Sequence, residues 1–217
     1  MKKLRVFLVD DHRVLREGMQ RLIDFEKDME VCGQASDAAE ALARAPAAKP
    51  DLALLDLGLK GTGGLDLIKS LRQRLPKLSI LVMSMFEESM YAERALRAGA
   101  KGYIMKHEPS EAVIAALRQV AKGRTFLSPE MSQRMLDKIS TGPTNGSPLD
   151  ALSDRELEVF RLIGQGLKPG AIAEALHLSV KTVETYRDQI KTKLNLDNAS
   201  ELSRYAISWT KDGSLGA

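Results

Sequence analysis

The sequence predicts an α/β domain with a five-stranded parallel sheet, linked to a small all-α domain of four helices. Five short apolar runs alternate with amphipathic helical stretches as far as about residue 122. A segment rich in Gly, Pro, Ser and Thr then interrupts the chain at residues 140–150, and only helical patterns follow it. A chain of 217 residues also has the length of two domains of about 100 residues each.

Five apolar runs in the first part have the length of buried strands. They are Leu4–Val9, Glu30–Gly33, Asp51–Leu55, Ser79–Met83 and Gly102–Met105. Amphipathic stretches such as Val14–Phe25 and Leu65–Leu75 lie between them. Neighbouring parallel strands are usually joined by a right-handed helical crossover, so this alternation predicts a parallel sheet with ligands beyond the carboxyl ends of its strands.

The region between the two domains contains one short helical pattern. The first domain is predicted to cover residues 1–122, because Lys122-Gly123-Arg124 has the composition of a helix end. A linker follows over residues 123–149, with a short helix from Pro129 to about Ile139. The second domain is predicted to cover residues 150–217.

Four short helices are predicted in the second domain. The first opens with a capping box formed by Ser153 and Glu156. The others are expected over Ala171–Leu176, Val180–Leu194 and Ala199–Trp209. Four helices in under 70 residues leave little room for an enclosed catalytic pocket, whereas a helix, a turn and a helix at this spacing suit a protein that reads a surface.

Charge and cysteine content restrict the function classes only weakly. The net charge is +3, but residues 150–217 hold nine basic and ten acidic residues, so bulk charge does not favour DNA binding there. The single cysteine, Cys32, is expected to be a buried structural thiol. Because no apolar run approaches the roughly 20 residues that cross a bilayer, we expect a cytoplasmic protein without a signal peptide or membrane anchor.

Polar side chains follow four of the five predicted strands. Asp10 and Asp11 follow the first strand, Asp56 the third, Ser84 the fourth and Lys106 the fifth. Each of them alone could cap a helix or remain solvated. Together, three carboxylates suit Mg²⁺, while a hydroxyl and a cation at the same edge suit a phosphoryl group. The combination favours a phosphorylation site whose nucleophile is the central Asp56.

Four motifs here resemble the receiver domains of bacterial response regulators, over residues 4 to about 121. They are VDDH at 9–12, LLDL at 54–57, MSM at 83–85 and GYIMK at 102–106. The resemblance implies a flavodoxin-like fold and Mg²⁺ held by Asp10 or Asp11, by Asp56 and by the backbone carbonyl of Gly58. It also implies that Asp56 accepts phosphate from a sensor histidine kinase.

The resemblance implies further roles at the end of the sheet. Lys106 would pair with the phosphoryl group and Ser84 would swing toward it. Tyr103 occupies the position of the family's switch aromatic, although a half-buried strand aromatic explains it equally well.

Three positions depart from the usual receiver pattern. Leu59-Lys60 and Gly61-Thr-Gly-Gly64 replace the usual continuation after the acceptor, which predicts a more flexible loop. Lys106 is followed by His107 rather than by proline. Met85 stands where a small residue is usual, and we hypothesise that it crowds the site and slows phosphoryl transfer.

Residues 152–207 resemble the LuxR-type helix-turn-helix, and with the receiver the chain resembles NarL/FixJ response regulators. The shared spacing includes Glu156, Gly166, Lys181-Thr182-Val183 and Lys193-Leu194. The resemblance implies that the helix 180–194 enters the major groove of double-stranded DNA. Helical periodicity places Val183, Ile190 and Leu194 inward. Seven residues of this helix are expected to face outward and bind DNA: Lys181, Thr182, Glu184, Thr185, Arg187, Asp188 and Lys191.

The outward residues are expected to make two kinds of DNA contact, to phosphates and to base edges. The three cations would contact phosphates, with guanine readout as the alternative for Arg187. Glu184, Thr185 and Asp188 lie where relatives touch base edges. The resemblance also suggests a homodimer through the last helix when phosphorylated or bound to DNA. Core packing explains that helix equally well, unless Tyr205 or Trp209 proves exposed.

Three functions were compared on these residues. The favoured one is a two-component transcription regulator, in which the unphosphorylated receiver hinders DNA binding or dimerisation. The alternative is a phosphate-independent receiver that acts as a protein-interaction module on a DNA-binding domain. An aspartyl-phosphate phosphatase is disfavoured, because the second acid two residues beyond a nucleophile is missing. We therefore expect no enzyme beyond a receiver that promotes its own phosphotransfer and dephosphorylation.

Overall fold

The computed structural model describes residues 2–59, 63–141 and 147–212. The chain divides into two compact units, Met1–Ser140 and Thr141–Ala217. Within the described residues, no helix is both long enough and apolar enough to pass through a membrane.

The first unit contains the predicted five-stranded sheet. Its strands are β1 (Leu4–Val9), β2 (Met29–Ala35), β3 (Leu52–Leu55), β4 (Ser79–Ser84) and β5 (Gly102–Met105). All are parallel, in the order β2-β1-β3-β4-β5. The central strand β3 has the sequence LALL and is buried along its whole length, as expected for a strand covered by helices on both faces. The α/β fold class is confirmed.

Six helices accompany the sheet in the part of the first unit that the structure describes. They are α1 (Arg13–Phe25), α2 (Ala38–Ala48), α3 (Gly64–Arg74), α4 (Glu88–Ala98), α5 (Ser110–Ala121) and α6 (Pro129–Thr141). One side of the sheet forms a core with α5, in which Leu54, Leu81 and Ile104 pack with Val113 and Leu117. This core holds the strands in register, so their carboxyl ends lie side by side.

Two features differ from simple expectation. Cys32 is only half-buried, because β2 is an edge strand of the sheet. The helix α6, which the sequence placed in the linker, belongs to the first compact unit. It is joined to α4 by a hydrogen bond from the Ser128 backbone to Glu88 and by an ion pair between Lys138 and Glu93.

The second unit consists of helices. A single 3-10 turn at Pro148–Ala151 precedes α7 (Asp154–Gly164), α8 (Pro169–Leu176), α9 (Val180–Leu194) and α10 (Ala199–Asp212). The predicted capping box at the start of α7 has both of its hydrogen bonds. A Cβ atom at Gly164 would lie 2.6 Å from the Ala206 carbonyl oxygen, so this glycine lets α7 and α10 approach closely. All four helices contribute fully buried residues to the core, among them Phe160, Ile172, Val183, Ile190 and Leu202.

Candidate functional site

The carboxyl end of the sheet brings Asp10, Asp56 and Lys106 into direct contact. The Lys106 Nζ lies 2.7 Å from Asp10 Oδ2 and 2.7 Å from Asp56 Oδ2. The side chain of Lys106 is 7% exposed, that of Asp10 is 6% exposed and that of Asp56 is 4% exposed. Three charges from residues far apart in sequence are therefore held together in a largely buried site.

The Asp56 carboxylate is fixed from two sides. Its Oδ1 accepts a hydrogen bond of 3.0 Å from the Gly58 backbone N–H, and its Oδ2 accepts one from Lys106. Burial raises the pKa of Asp56 above its ordinary value, and the hydrogen bonds from Lys106 and Gly58 oppose this only in part. A Cβ atom at position 58 would lie 3.2 Å from Asp56 Oδ2, so glycine avoids crowding this carboxylate.

The Lys106 ammonium is held by two acids. Burial lowers its pKa, but the hydrogen bonds and charges of Asp10 and Asp56 together raise that pKa above the usual value of a lysine. A permanently charged, immobilised ammonium can neutralise charge on a phosphoryl oxygen.

The donor atoms of this pocket fit a divalent metal ion. Ligand atoms of Asp10, Asp11, His12 and Asp56 lie within 4.8 Å of one another. Asp10 Oδ2 and Asp11 Oδ1 are buried without a well-aligned hydrogen bond, although they contact Lys106 and His12 as ion-pair partners. Free lone pairs on hard carboxylate oxygens are what Mg²⁺ requires. Gly58 contributes an N–H to Asp56 here, and a metal contact from its carbonyl stays a prediction.

Ser84 and Tyr103 are linked through one loop. Ser84 is completely buried, and its Oγ accepts a hydrogen bond of 3.1 Å from the Phe86 backbone N–H. The Tyr103 hydroxyl donates to the Phe86 carbonyl at 2.6 Å. Tyr103 is completely buried rather than half-buried, and burial raises its pKa well above the ordinary value. The Phe86 ring packs against Tyr91 of α4, with ring centroids 5.0 Å apart.

The departures from the usual receiver pattern have different structural contexts. Lys60 and residues 61–62 lie outside the described residues, so their predicted loop flexibility stays a prediction. Met85 is 63% exposed at the end of β4. The peptide bond between Lys106 and His107 is trans, as are the other described peptide bonds.

Sequence reasoning missed two residues of the pocket. His12 entered only as part of a motif, yet its Nδ1 lies 2.8 Å from Asp11 Oδ1 and 3.2 Å from Asp10 Oδ1. Arg16 donates from Nη1 to the Asp10 carbonyl oxygen at 2.5 Å. The available signal was position on α1: Arg16 lies one helical turn beyond His12 and therefore on the same side of the helix.

The second unit presents one charged helix face. Ser179 caps α9 by accepting the Thr182 backbone N–H at 3.0 Å. Four of the predicted residues are exposed: Lys181, Glu184, Thr185 and Asp188. Thr182 and Lys191 are partly buried. Gln189, which the sequence analysis did not single out, is exposed beside Asp188.

Arg187 is an exception to the predicted exposure of this face. Its side chain is only 16% exposed, and its Nε is buried without a hydrogen-bond partner. The reason is helical spacing, since Arg187 follows Val183 by four residues and precedes Ile190 by three, and both of these are fully buried. The Arg187 Nη1 donates to Glu184 Oε1 at 3.0 Å.

An ion pair with a buried carboxylate joins α9 to the start of α7. Glu156 is 3% exposed, and its Oε2 accepts hydrogen bonds of 2.6 Å from both Lys193 Nζ and the Ser153 backbone N–H. Burial raises the pKa of Glu156, but these hydrogen bonds together lower it below the ordinary value. The sequence marked Glu156 as a capping residue and as part of the family's spacing, and its pairing with Lys193 needed the tertiary structure.

The two aromatic residues of α10 that would favour a dimer if exposed are not in the exposed class. Tyr205 and Trp209 are both partly buried. The Tyr205 ring packs against Phe160 with centroids 5.8 Å apart. Packing within the unit therefore accounts for Tyr205, and a dimer through this helix stays a prediction.

Family models match both parts of the chain. The model for the response regulator receiver domain matches residues 6–118, and the model for bacterial regulatory proteins of the luxR family matches residues 150–206. Oxygen regulatory protein NreC of Staphylococcus carnosus (strain TM300) is 37% identical over 210 residues, which cover 94% of this chain and 97% of the relative. NreC of Staphylococcus haemolyticus (strain JCSC1435) is 36% identical over 210 residues with the same coverage.

Solved structures with the same fold include full-length and receiver-only chains. RcsB from Salmonella enterica serovar Typhimurium, bound to promoter rprA in the presence of phosphomimetic BeF3⁻, has a TM-score of 0.68 at 26% identity, covering 94% of this chain and 98% of RcsB. The receiver domain of a NarL response regulator from Mycobacterium tuberculosis has a TM-score of 0.54 at 33% identity, covering 57% of this chain and all of that domain.

Proposed function

The chain belongs to the response regulators that join a receiver domain to a LuxR-type DNA-binding domain, and we propose that phosphorylation of Asp56 controls its binding to DNA. The observation that carries this proposal is the contact between Lys106 and both Asp10 and Asp56 in a pocket of buried charges. Such a pocket binds a phosphoryl group and a cation together.

The chemical step is transfer of a phosphoryl group from a sensor histidine kinase. Asp56 Oδ attacks phosphorus, the new P–O bond forms, and the P–N bond to the kinase imidazole breaks. The imidazole leaves with its bonding electron pair and takes a proton from solvent. Lys106 and the Gly58 N–H orient the carboxylate, while Asp10, Asp11 and Asp56 would hold Mg²⁺. When bound, Mg²⁺ offsets negative charge between the carboxylate and the phosphoryl oxygens.

The conformational signal would leave the pocket through the loop after β4. Ser84 would move toward the phosphoryl group and give up its hydrogen bond from Phe86. Because Tyr103 also binds Phe86, and Phe86 packs on Tyr91, the change would reach α4. From there, the contacts of Glu88 and Glu93 lead to α6, the last helix of the first unit. Phosphate must favour one arrangement differentially for this route to work.

The DNA-binding surface is proposed on α9. Its exposed residues would enter the major groove, with Lys181 and Lys191 near phosphates and Glu184, Thr185 and Asp188 near base edges. Thr182 lies at the helix start, beside its cap. Because Arg187 is mostly buried, it would act by holding Glu184.

The proposal also covers the linker between the domains, the oligomeric state and the location of the protein. We place a linker between the receiver and the DNA-binding domain, and we propose that the unphosphorylated receiver hinders DNA binding. A homodimer would form on phosphorylation or on a two-fold DNA site. The protein would act in the cytoplasm, where the operator and the kinase domain are both accessible.

The deciding experiment compares the wild type with Asp56→Asn after incubation with acetyl phosphate and Mg²⁺. We expect one phosphoryl group per wild-type chain by mass spectrometry, none on Asp56→Asn, and full labelling of Asp197→Asn, which alters an exposed aspartate of the second unit. Size-exclusion chromatography and DNA titration of the labelled protein then measure the switch. An unlabelled wild type with unchanged DNA affinity would favour the phosphate-independent module.

A further inference from the structure

The exposed face of α9 carries two carboxylates where a DNA-reading helix usually needs donors or cations. Lys181, Glu184, Thr185 and Asp188 are exposed on the side opposite the buried Val183 and Ile190. In a helix-turn-helix protein, residues in the N-terminal part of the recognition helix contact base edges. Two acids on this part of the helix therefore need a physical reason.

Both carboxylates are held by cations of the same helix. Glu184 Oε1 lies 3.0 Å from Arg187 Nη1, and Asp188 Oδ1 lies 2.9 Å from Lys191 Nζ. The Glu184 and Asp188 side chains are nevertheless 49% and 73% exposed. Each acid keeps free lone pairs toward solvent, while the cation three residues later reduces its repulsion from DNA phosphates.

Thr185 lies between Glu184 and Asp188, and its hydroxyl hydrogen is not free to be donated to a base. Thr185 Oγ1 donates to the Lys181 carbonyl oxygen at 3.0 Å. With the hydroxyl hydrogen used inside the helix, the methyl group is the part of Thr185 available for an apolar contact. In the major groove, the matching partner is the C5-methyl group of thymine.

A carboxylate discriminates strongly among base edges because it only accepts hydrogen bonds. Guanine presents the N7 and O6 acceptors, thymine presents O4, and adenine places its N7 acceptor beside its amino group. On its own major-groove edge, cytosine alone offers an amino donor without an acceptor. Residues four apart on a helix are separated by about 6 Å along the axis, or about two base steps of about 3.4 Å each.

From these contacts, we propose that Glu184 and Asp188 select an operator half-site with two cytosines within about two base pairs of each other. The inference rests on the proposed DNA-binding function and names the sequence class that it recognises. The cations Arg187 and Lys191 are positioning residues, because they orient the two carboxylates.

The test is a binding selection from a randomised duplex library with the full chain, with and without acetyl phosphate and Mg²⁺. We expect two enriched cytosines at this spacing, and a loss of roughly tenfold or more in affinity when either is replaced by thymine. Glu184→Gln is expected to move the preference at one of these positions from cytosine to adenine, because an amide can donate to N7 and accept from N6. Asp188→Asn is expected to do the same at the other position.

The matched control is Glu174→Gln, which removes an equal charge from an exposed residue of α8. It is expected to raise affinity for all sequences alike and to leave the base preference unchanged. Unchanged cytosine preference in both Glu184→Gln and Asp188→Asn, with a wild type that selects a defined site, would overturn the inference alone. A wild type that selects no sequence under either condition would overturn the DNA-binding proposal as well.

Discussion

Charged residues of the two units are organised in opposite ways. In the receiver pocket, Asp10, Asp56 and Lys106 come from three strand ends and are almost completely buried. On α9, Glu184 pairs with Arg187 and Asp188 with Lys191, only three residues apart and with the acids largely exposed. Burial makes the pocket charges depend on one another, whereas solvent screens the pairs of the helix. Any single substitution in the pocket should therefore reduce the stability of the first unit. Substitutions on α9 should have little effect on stability and should instead change which DNA sequence is bound.

Removing the central cation of the pocket should have the largest effect on stability. Lys106→Met leaves Asp10 and Asp56 buried without their partner, so we expect a loss of about 3 kcal/mol in the free energy of unfolding of the first unit. Urea denaturation followed by circular dichroism measures this loss. The single tryptophan, Trp209, lies in the second unit, so its fluorescence separately reports the unfolding of that unit.

Lys101→Met provides the control, because Lys101 is exposed at the other end of β5. It should change the stability of the first unit by less than about 0.5 kcal/mol. Added Mg²⁺ should stabilise Lys106→Met more than the wild type, since the two unpaired carboxylates attract a cation more strongly. Equal stability of Lys106→Met and Lys101→Met would contradict the view that the pocket charges are mutually dependent.

The ion pair between Glu156 and Lys193 tests whether burial of the carboxylate, rather than the unit that contains it, decides the effect on stability. Glu156→Gln removes the charge that Lys193 and the Ser153 N–H contact, and we expect a loss of about 2 kcal/mol at neutral pH. Since the folded-state pKa of Glu156 is lowered, its contribution is fully present above the ordinary glutamate pKa of about 4.3 and disappears as the pH falls through the lower folded value.

Trp209 fluorescence during urea unfolding measures this difference at a series of pH values. The exposed Glu174→Gln is the matched control and should remain close to the wild type throughout. If Glu156→Gln and the wild type differ by the same amount below pH 4 as at pH 7, charge is not the cause of the difference.

The sequence predicted those parts of the molecule that depend on local pattern or on strand ends. The alternation of strands and helices identified the sheet, and the strand ends identified Asp10, Asp56 and Lys106 as neighbours. It did not predict that Arg187 is mostly buried, because a charged side chain was expected to face solvent even beside the inward positions Val183 and Ile190. It also did not pair Glu156 with Lys193, since a contact across 37 residues leaves no local pattern.

An ion pair of intermediate exposure lies between α4 and α6. Lys138 Nζ contacts Glu93 Oε2 at 2.6 Å, with side chains 26% and 21% exposed, and the hydrogen bond from Lys138 lowers the pKa of Glu93. We expect a coupling energy of about 1 kcal/mol between Lys138→Met and Glu93→Gln. Hydrogen exchange of the α6 amides in the two single variants and the double variant measures it.

The exposed Lys122→Met should leave exchange of the α6 amides unchanged and serves as the control. A coupling energy of zero would mean that Lys138 and Glu93 do not hold α6 on α4. The proposed route from the pocket would then rest on the Glu88 contact and on the hydrogen bond from Arg134 to the Ser89 carbonyl. A clear coupling that weakens after phosphorylation of Asp56 would strengthen the proposed route.

Substitution of Asp188 combines the smallest expected effect on stability with a large expected effect on DNA recognition. Asp188→Asn removes an exposed pair with Lys191 and should change the stability of the second unit by no more than about 0.5 kcal/mol, as reported by Trp209 fluorescence. The same substitution should change which base is preferred at one operator position, because an amide both donates and accepts. If Asp188→Asn instead destabilised the unit as much as Glu156→Gln, its altered DNA binding would reflect partial unfolding, and the contrast between buried and exposed charges would fail.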